Sequence, residues 1–203
     1  MTIHEPMTMA TDYALAAVGV WCAFRVFDKN EYTRWCWALA FAALAAAALF
    51  GGTWHGFAQS DLLWKATVLC AGIASFGMVA GSAFATLSGA MRNAVIGLAL
   101  GKLGIYSAWM LRRDEFIFVI VDTGVAFALV ALLHLWRFNG WILAGVAVSV
   151  VAALVQASGF ALHRHFNHND LYHVIQIGAM LLLYRGARRL SDAGAPTPAL
   201  PAA

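Results

Sequence analysis

The stretch LLWKATVLCAGIASFGMVAGSAFATL, Leu62 to Leu87, carries a single charge, Lys65, in 26 residues. As a helix rising 1.5 Å per residue it is about 39 Å long, more than the ~30 Å hydrocarbon core of a bilayer. An apolar run of that length reads as a membrane span. Comparable runs lie on both sides of it, at Tyr13–Phe27, Trp35–Trp54, Asn93–Leu111, Phe116–Leu135, Trp141–Leu162 and Leu171–Tyr184. The chain therefore reads as all-α, an integral membrane bundle of seven transmembrane helices joined by short loops.

Composition agrees with that class. The chain is 62% hydrophobic and 11% charged, with a mean hydropathy of +0.74. That is more apolar surface than a 203-residue globular core can hide, so lipid must cover part of it. A net charge of +3 is too small to indicate nucleic acid as a partner. Cys22, Cys36 and Cys70 lack CxxC spacing and read as packing residues. No basic segment precedes the first apolar run and no small-residue cleavage site follows it, so it reads as a retained helix. Ala42–Ala48, Gly77–Gly81–Ser82 and Gly97–Gly101–Gly104 are small-residue stretches suited to close helix approach. Residues 1–193 form one seven-helix domain on this reading, and the Pro/Ala-rich tail 194–203 reads as disordered.

Basic residues give a direction. With seven spans, one end carries Arg25, Lys29, Arg34, Arg92, Arg137, Arg185, Arg188 and Arg189, and the other Arg112, Arg113 and Arg164. The positive-inside rule then places the N-terminus outside and the C-terminus in the cytoplasm, as in a bacterial inner membrane.

Segment order brings the unusual polar residues to one end, whichever way the chain points. His55 closes the second span, Asp61 and Lys65 open the third, and Asp122 lies about two turns into the fifth. Gln156 is late in the sixth, and His168 and His173 open the seventh. Ionisable groups in membrane segments are costly and mark a functional site by default. The richest stretch runs from His163 to His173, HRHFNHNDLYH. Imidazole and carboxylate together suit zinc, with His55, His168 and His173 as ligands and water in the fourth place. Asp61 or Asp170 could orient that water or accept its proton, with Lys65, Asp122 and Gln156 contacting substrate. A plainer reading stands beside this one. His163 and His165 can be solvated loop residues, Asn169 or Asp170 can cap the seventh helix, and Asp122 can pair internally with Lys102 or Lys65. His134, beside Trp136 and Arg137, reads as interfacial.

At these positions the chain resembles the CREST superfamily of seven-span membrane hydrolases, which includes the alkaline ceramidases and the progestin and adipoQ receptors. The shared pattern is Ser-x-x-x-His late in the second span, Asp in the third, and His-x-x-x-His in the seventh. Here GGTWH, Gly51 to His55, matches the first motif with Gly in place of Ser. Asp61 is the acid nearest the second position, and NDLYH, Asn169 to His173, matches the third with Asn in place of the first His. The resemblance implies bound zinc and hydrolysis of amide or ester bonds in lipids.

The leading expectation is a zinc-dependent hydrolase of a lipid-like substrate within the bilayer, with zinc-bound hydroxide as nucleophile. No Ser-His-Asp or GxSxG signature offers another nucleophile. The alternative is a receptor, sensor or small-solute carrier with a polar cavity. Bis-histidine haem ligation suits His55 and His173 less well, because they lie at equal depth. A retinal protein is disfavoured by the absence of lysine from the seventh span.

Overall fold

The computed structural model describes residues 3–57 and 59–194. Among them are seven helices and no strand: α1 (Pro6–Val26), α2 (Tyr32–Gly56), α3 (Asp61–Thr86), α4 (Gly89–Met110), α5 (Ile117–Arg137), α6 (Gly140–Ser158) and α7 (His168–Ala187). Helices α1, α2, α3, α5 and α6 are long and apolar enough to cross a membrane. The tail expected to be disordered lies, beyond Gly194, outside the described residues.

Local chemistry sets the helix ends. Pro6 opens α1, where its fixed φ suits a helix start and its missing N–H costs nothing. Ser60 accepts from the Leu63 N–H at 3.3 Å, and Asn139 from the Ile142 N–H at 3.2 Å. Gly159, in the left-handed region at φ 68°, ends α6 earlier than the apolar run suggested. The first helix begins at Pro6 instead of Tyr13, and the last spans His168–Ala187 instead of Leu171–Tyr184. The residues added at the start, Pro6 to Asp12 in α1 and His168 to Asp170 in α7, include Thr8, Thr11, Asp12 and the His-Asn-Asp run, which dilute hydropathy.

Helices α1, α2, α3, α5, α6 and α7 pack in that order into a closed ring, with α7 returning to α1, and α4 rests chiefly on α3. Small residues permit the tightest approaches. A Cβ at Gly77 would lie 2.8 Å from the Cys36 carbonyl oxygen, and one at Gly186 2.9 Å from the Ile142 nitrogen. The Gly97–Gly101–Gly104 stripe behaves differently from the sequence expectation. Nothing lies within 4 Å of a Cβ built at any of the three, because α4 has no helix on that side.

One end of the ring is tied by the chain after α7. Asp192 accepts from the Tyr32 and Thr33 N–H groups at 3.1 and 2.7 Å, capping α2 from across the molecule, while the Arg34 guanidinium donates to the Arg188 and Leu190 carbonyls. Asp192→Ala is expected to lower stability by about 1–2 kcal/mol, the range for loss of a helix cap. Thermal unfolding of the purified protein in detergent checks this, and an unchanged midpoint would show the cap to be dispensable.

Candidate functional site

Thr8, Thr11 and Asp12 stand at i, i+3 and i+4 on α1 and so share one face, which is turned toward α7. Opposite them, α7 begins with a capping box. Asn167 accepts from the Asn169 and Asp170 N–H groups, and Asp170 Oδ2 accepts from the Asn167 N–H at 2.7 Å. The box leaves Asp170 Oδ1 facing α1, where it accepts from the Thr8 hydroxyl at 2.8 Å. One turn further on, His173 meets α1 through both ring nitrogens. Nδ1 is 3.0 Å from Thr11 Oγ1, and Nε2 is 3.2 Å from Asp12 Oδ1. Thr8, Asp12, Asp170 and His173 are all buried.

The end of α2 closes a second side. His55 Nδ1 lies 2.8 Å from Glu5 Oε2, and the His4 N–H donates to the Gly56 carbonyl. Asp12 is within Coulombic range of Asp170 and Glu5, so three carboxyl groups and two imidazoles share this end of the molecule. Tyr13 and Thr53 join their hydroxyls at 3.1 Å across α1 and α2. From Tyr13 a groove of about 810 Å³ runs between these helices to Phe27 and Trp35, lined almost wholly by apolar side chains.

The Thr11–His173–Asp12 array can move a proton. With Asp12 ionised, a hydrogen on Nε2 is favoured by the carboxylate 3.2 Å away, and Nδ1 is left to accept from the Thr11 hydroxyl. The same hydroxyl hydrogen can turn instead to the Thr8 carbonyl, 3.0 Å away. A hydroxyl, an imidazole and a carboxylate in contact in that order, at 3.0 and 3.2 Å, resemble the arrangement used to activate nucleophiles on unrelated folds.

The other residues singled out in the sequence are placed as follows. Asp170 is the capping acid and the acceptor for Thr8. Asp61 stands exposed in the first turn of α3, where a negative charge favours the helix dipole. Lys65 donates to the Met110 and Arg113 carbonyls at 2.7 Å and pairs with Asp114, tying α3 to the end of α4. Asp122 is buried and pairs with Lys102. Gln156 donates to Asn169 Oδ1 at 3.2 Å, an α6–α7 tie. His168 is the half-buried first residue of α7.

As arranged, these donors do not form a zinc site. Both nitrogens of His173 are engaged by α1, His55 Nδ1 is engaged by Glu5, and Asn169 is turned to Gln156. Among the described residues no group of three or more His, Cys, Asp or Glu is positioned to hold a metal ion. Thr8, Thr11 and Asp12 are absent from the sequence reading because they precede the apolar run. Their i, i+3, i+4 spacing just after a helix-opening proline was the available signal.

Two neighbouring glycines of α2 test this packing. A Cβ at Gly52 would fall 2.9 Å from Asp12 Cβ, whereas at Gly51 the nearest atom, an Asp12 carboxylate oxygen, is 3.7 Å away. Gly52→Ala is therefore expected to cost about 1–3 kcal/mol by overpacking. Gly51→Ala should be neutral or stabilising by up to about 1 kcal/mol through helix propensity. Equal unfolding midpoints for the two variants would contradict the placement of Asp12.

No curated protein and no solved structure matches this chain. The family model DUF6962, described as a family of unknown function, matches residues 7–192, a range that takes in Thr8, Asp12, His55 and His173. The chain belongs to the DUF6962 family.

Proposed function

We propose that this chain is an integral membrane hydrolase acting on an amide or ester bond of a lipid-like substrate. The observation that carries the reading is the Thr11–His173–Asp12 array, set in apolar surroundings beside a chain-sized apolar groove. In this proposal all seven helices cross the bilayer of a bacterial inner membrane, N-terminus outside. Helices α4 and α7, with 22 and 20 residues, are about 30 Å or longer. Their polar side chains are drawn inward: Lys102 pairs with Asp122, and His173 and Gln176 are buried, while Leu98, Ile105 and Leu181 face outward.

The mechanism follows from the array. Thr11 Oγ1 bonds to the substrate carbonyl carbon while its proton passes to His173 Nδ1, and the carbonyl electron pair moves to oxygen. Asp12 holds the ring in the required tautomer and stabilises the imidazolium. When the tetrahedral species collapses, the amine or alcohol leaves with the proton from His173. Water then repeats the sequence on the Thr11 ester, releasing the acid and restoring the hydroxyl. The groove at Tyr13 suits an acyl chain lying beside α1 and α2, with its carbonyl end at the polar site.

The zinc-dependent form implied by the CREST resemblance would need His55 and His173 to leave their present partners, so no step is assigned to a metal. The receptor, sensor or carrier alternative is favoured by one observation. The Thr8 carbonyl competes for the Thr11 hydroxyl hydrogen, and a hydroxyl so held is a poor nucleophile.

Release of fatty acid from N-acylated and O-acylated lipids by the detergent-purified chain tests the proposal. Thr11→Ala and His173→Ala should each lower turnover by a factor on the order of 10²–10⁴ in protein whose folding is verified by circular dichroism, and Thr11→Ser should largely retain it. Full activity in His173→Ala would sink the hydrolase proposal, and no turnover of any acyl lipid would leave the receptor or carrier. One zinc per chain, lost in both His55→Ala and His173→Ala, would replace the relay with the metal mechanism.

A further inference from the structure

The α1–α7 site has an outward rim that takes no part in the proposed steps. His55, at the end of α2, and Glu5, just before α1, form it, and both reach the surface, with side chains 20% and 41% exposed. His55 Nδ1 meets Glu5 Oε2 at 2.8 Å. With Glu5 ionised, the ring hydrogen is on Nδ1 and donates to that oxygen, so Nε2 is a lone pair. Neither Nε2 nor Glu5 Oε1 has a partner among the described residues, and neither is sealed off from the surface. The two free atoms at this rim are thus both acceptors, and a ligand that meets them must bring donors.

Charge points the same way. Asp12 and Asp170 stand behind the rim, and among the described residues no lysine or arginine pairs with either of them or with Glu5. Lys65, the cation of α3, is spent on the Met110 and Arg113 carbonyls and on Asp114. An anionic head group would face three carboxyl groups with no cation of the chain between, whereas a cationic one would complement them. The rim also has an aromatic wall. The Trp54 ring stands edge-on to His55 at 5.0 Å, and Trp64 lies 5.7 Å from Trp54. Indole faces attract cations. A primary ammonium supplies three donors and a positive charge in one small group. Glu5 lies about 9 Å outward from Thr11 along α1, at ~1.5 Å per residue. A head group reaches it from a carbonyl held at Thr11 through a spacer of pentyl length.

We propose that Glu5, His55 and Trp54 form a head-group subsite for a protonated primary amine, so that acyl lipids with an ammonium head group are preferred over hydroxyl- or phosphate-bearing ones. Glu5 Oε1 and His55 Nε2 accept from the ammonium, and Trp54 flanks it. The inference rests on the acyl-hydrolase reading for the bond that is cut, while the subsite itself is observable by binding alone.

The test uses three palmitamides that differ only at the far end: those of pentanediamine, aminopentanol and aminopentyl phosphate. Each is added to the full chain in phosphatidylcholine nanodiscs, and both the unfolding midpoint and kcat/KM are measured. The diamine amide should give the largest rise in midpoint and a kcat/KM roughly tenfold or more above the alcohol, with the phosphate lowest. Glu5→Gln should remove this preference. Glu115→Gln, which removes a charge at the same end of the molecule but outside the site, should leave it unchanged. Both side chains are exposed enough for either variant to fold. Stabilisation by the diamine amide with no turnover of any of the three would overturn the hydrolase and keep the subsite. Turnover at equal kcat/KM, a preference for the phosphate, or a preference that survives Glu5→Gln or is lost equally in Glu115→Gln would overturn the subsite and keep the hydrolase. Equal midpoints without turnover would overturn both.

Discussion

Buried polar groups must find partners where water is scarce, and the contact between α1 and α7 is where this constraint acts most strongly. Thr8 and Asp12 on one helix face Asp170 and His173 on the other, all removed from solvent. Replacing one member leaves its partner buried and unsatisfied, which costs more than the bond itself contributes. The pairing therefore fixes the rotation of both helices about their axes, and α7 closes the ring only in the register that aligns them. The capping box does two things at once. It ends the backbone's need for acceptors at the start of α7, and it holds Asp170 Oδ1 toward Thr8.

The same rule accounts for polar residues elsewhere in the ring. Lys102 with Asp122, Gln176 with Ser149, and His134 with Ser82 each join two helices within the apolar interior. Such ties are directional, and in a chain so rich in Ala, Gly and Leu they select one arrangement among many of similar packing. The α1–α7 contact differs in kind, because it brings a hydroxyl, an imidazole and a carboxylate into contact in one line, one residue along α1 from the groove that Tyr13 lines.

Much of this was legible in the sequence. The runs for α2 to α5 were located to within a few residues, because long unbroken apolar segments admit few alternatives. Segment order alone brought His55, Asp170 and His173 to one end, and their contacts with Glu5, Thr8 and Asp12 lie there. The beginning of α1 was not legible by hydropathy, since Thr8, Thr11 and Asp12 dilute any apolar window that includes them. Losing those residues removed His173's carboxylate partner from the reading. The glycine stripe of α4 illustrates the reverse case: spacing identifies a surface able to pack closely, and only tertiary structure shows whether anything packs there. His134 was misplaced for a related reason, because flanking Trp136 and Arg137 describe a depth and not the direction of a side chain.

The central claim is that His173 is held between Thr11 and Asp12, with its hydrogen on Nε2 and a lone pair on Nδ1. Nitrogen-15 spectra of histidine-labelled protein in nanodiscs, assigned by comparison with His173→Gln, report on each ring nitrogen separately. With Asp12 ionised the account predicts a protonated Nε2 and an accepting Nδ1 at His173, and this pattern should be lost in Asp12→Asn. A His173 signal that is the same with and without the Asp12 carboxylate would contradict the account.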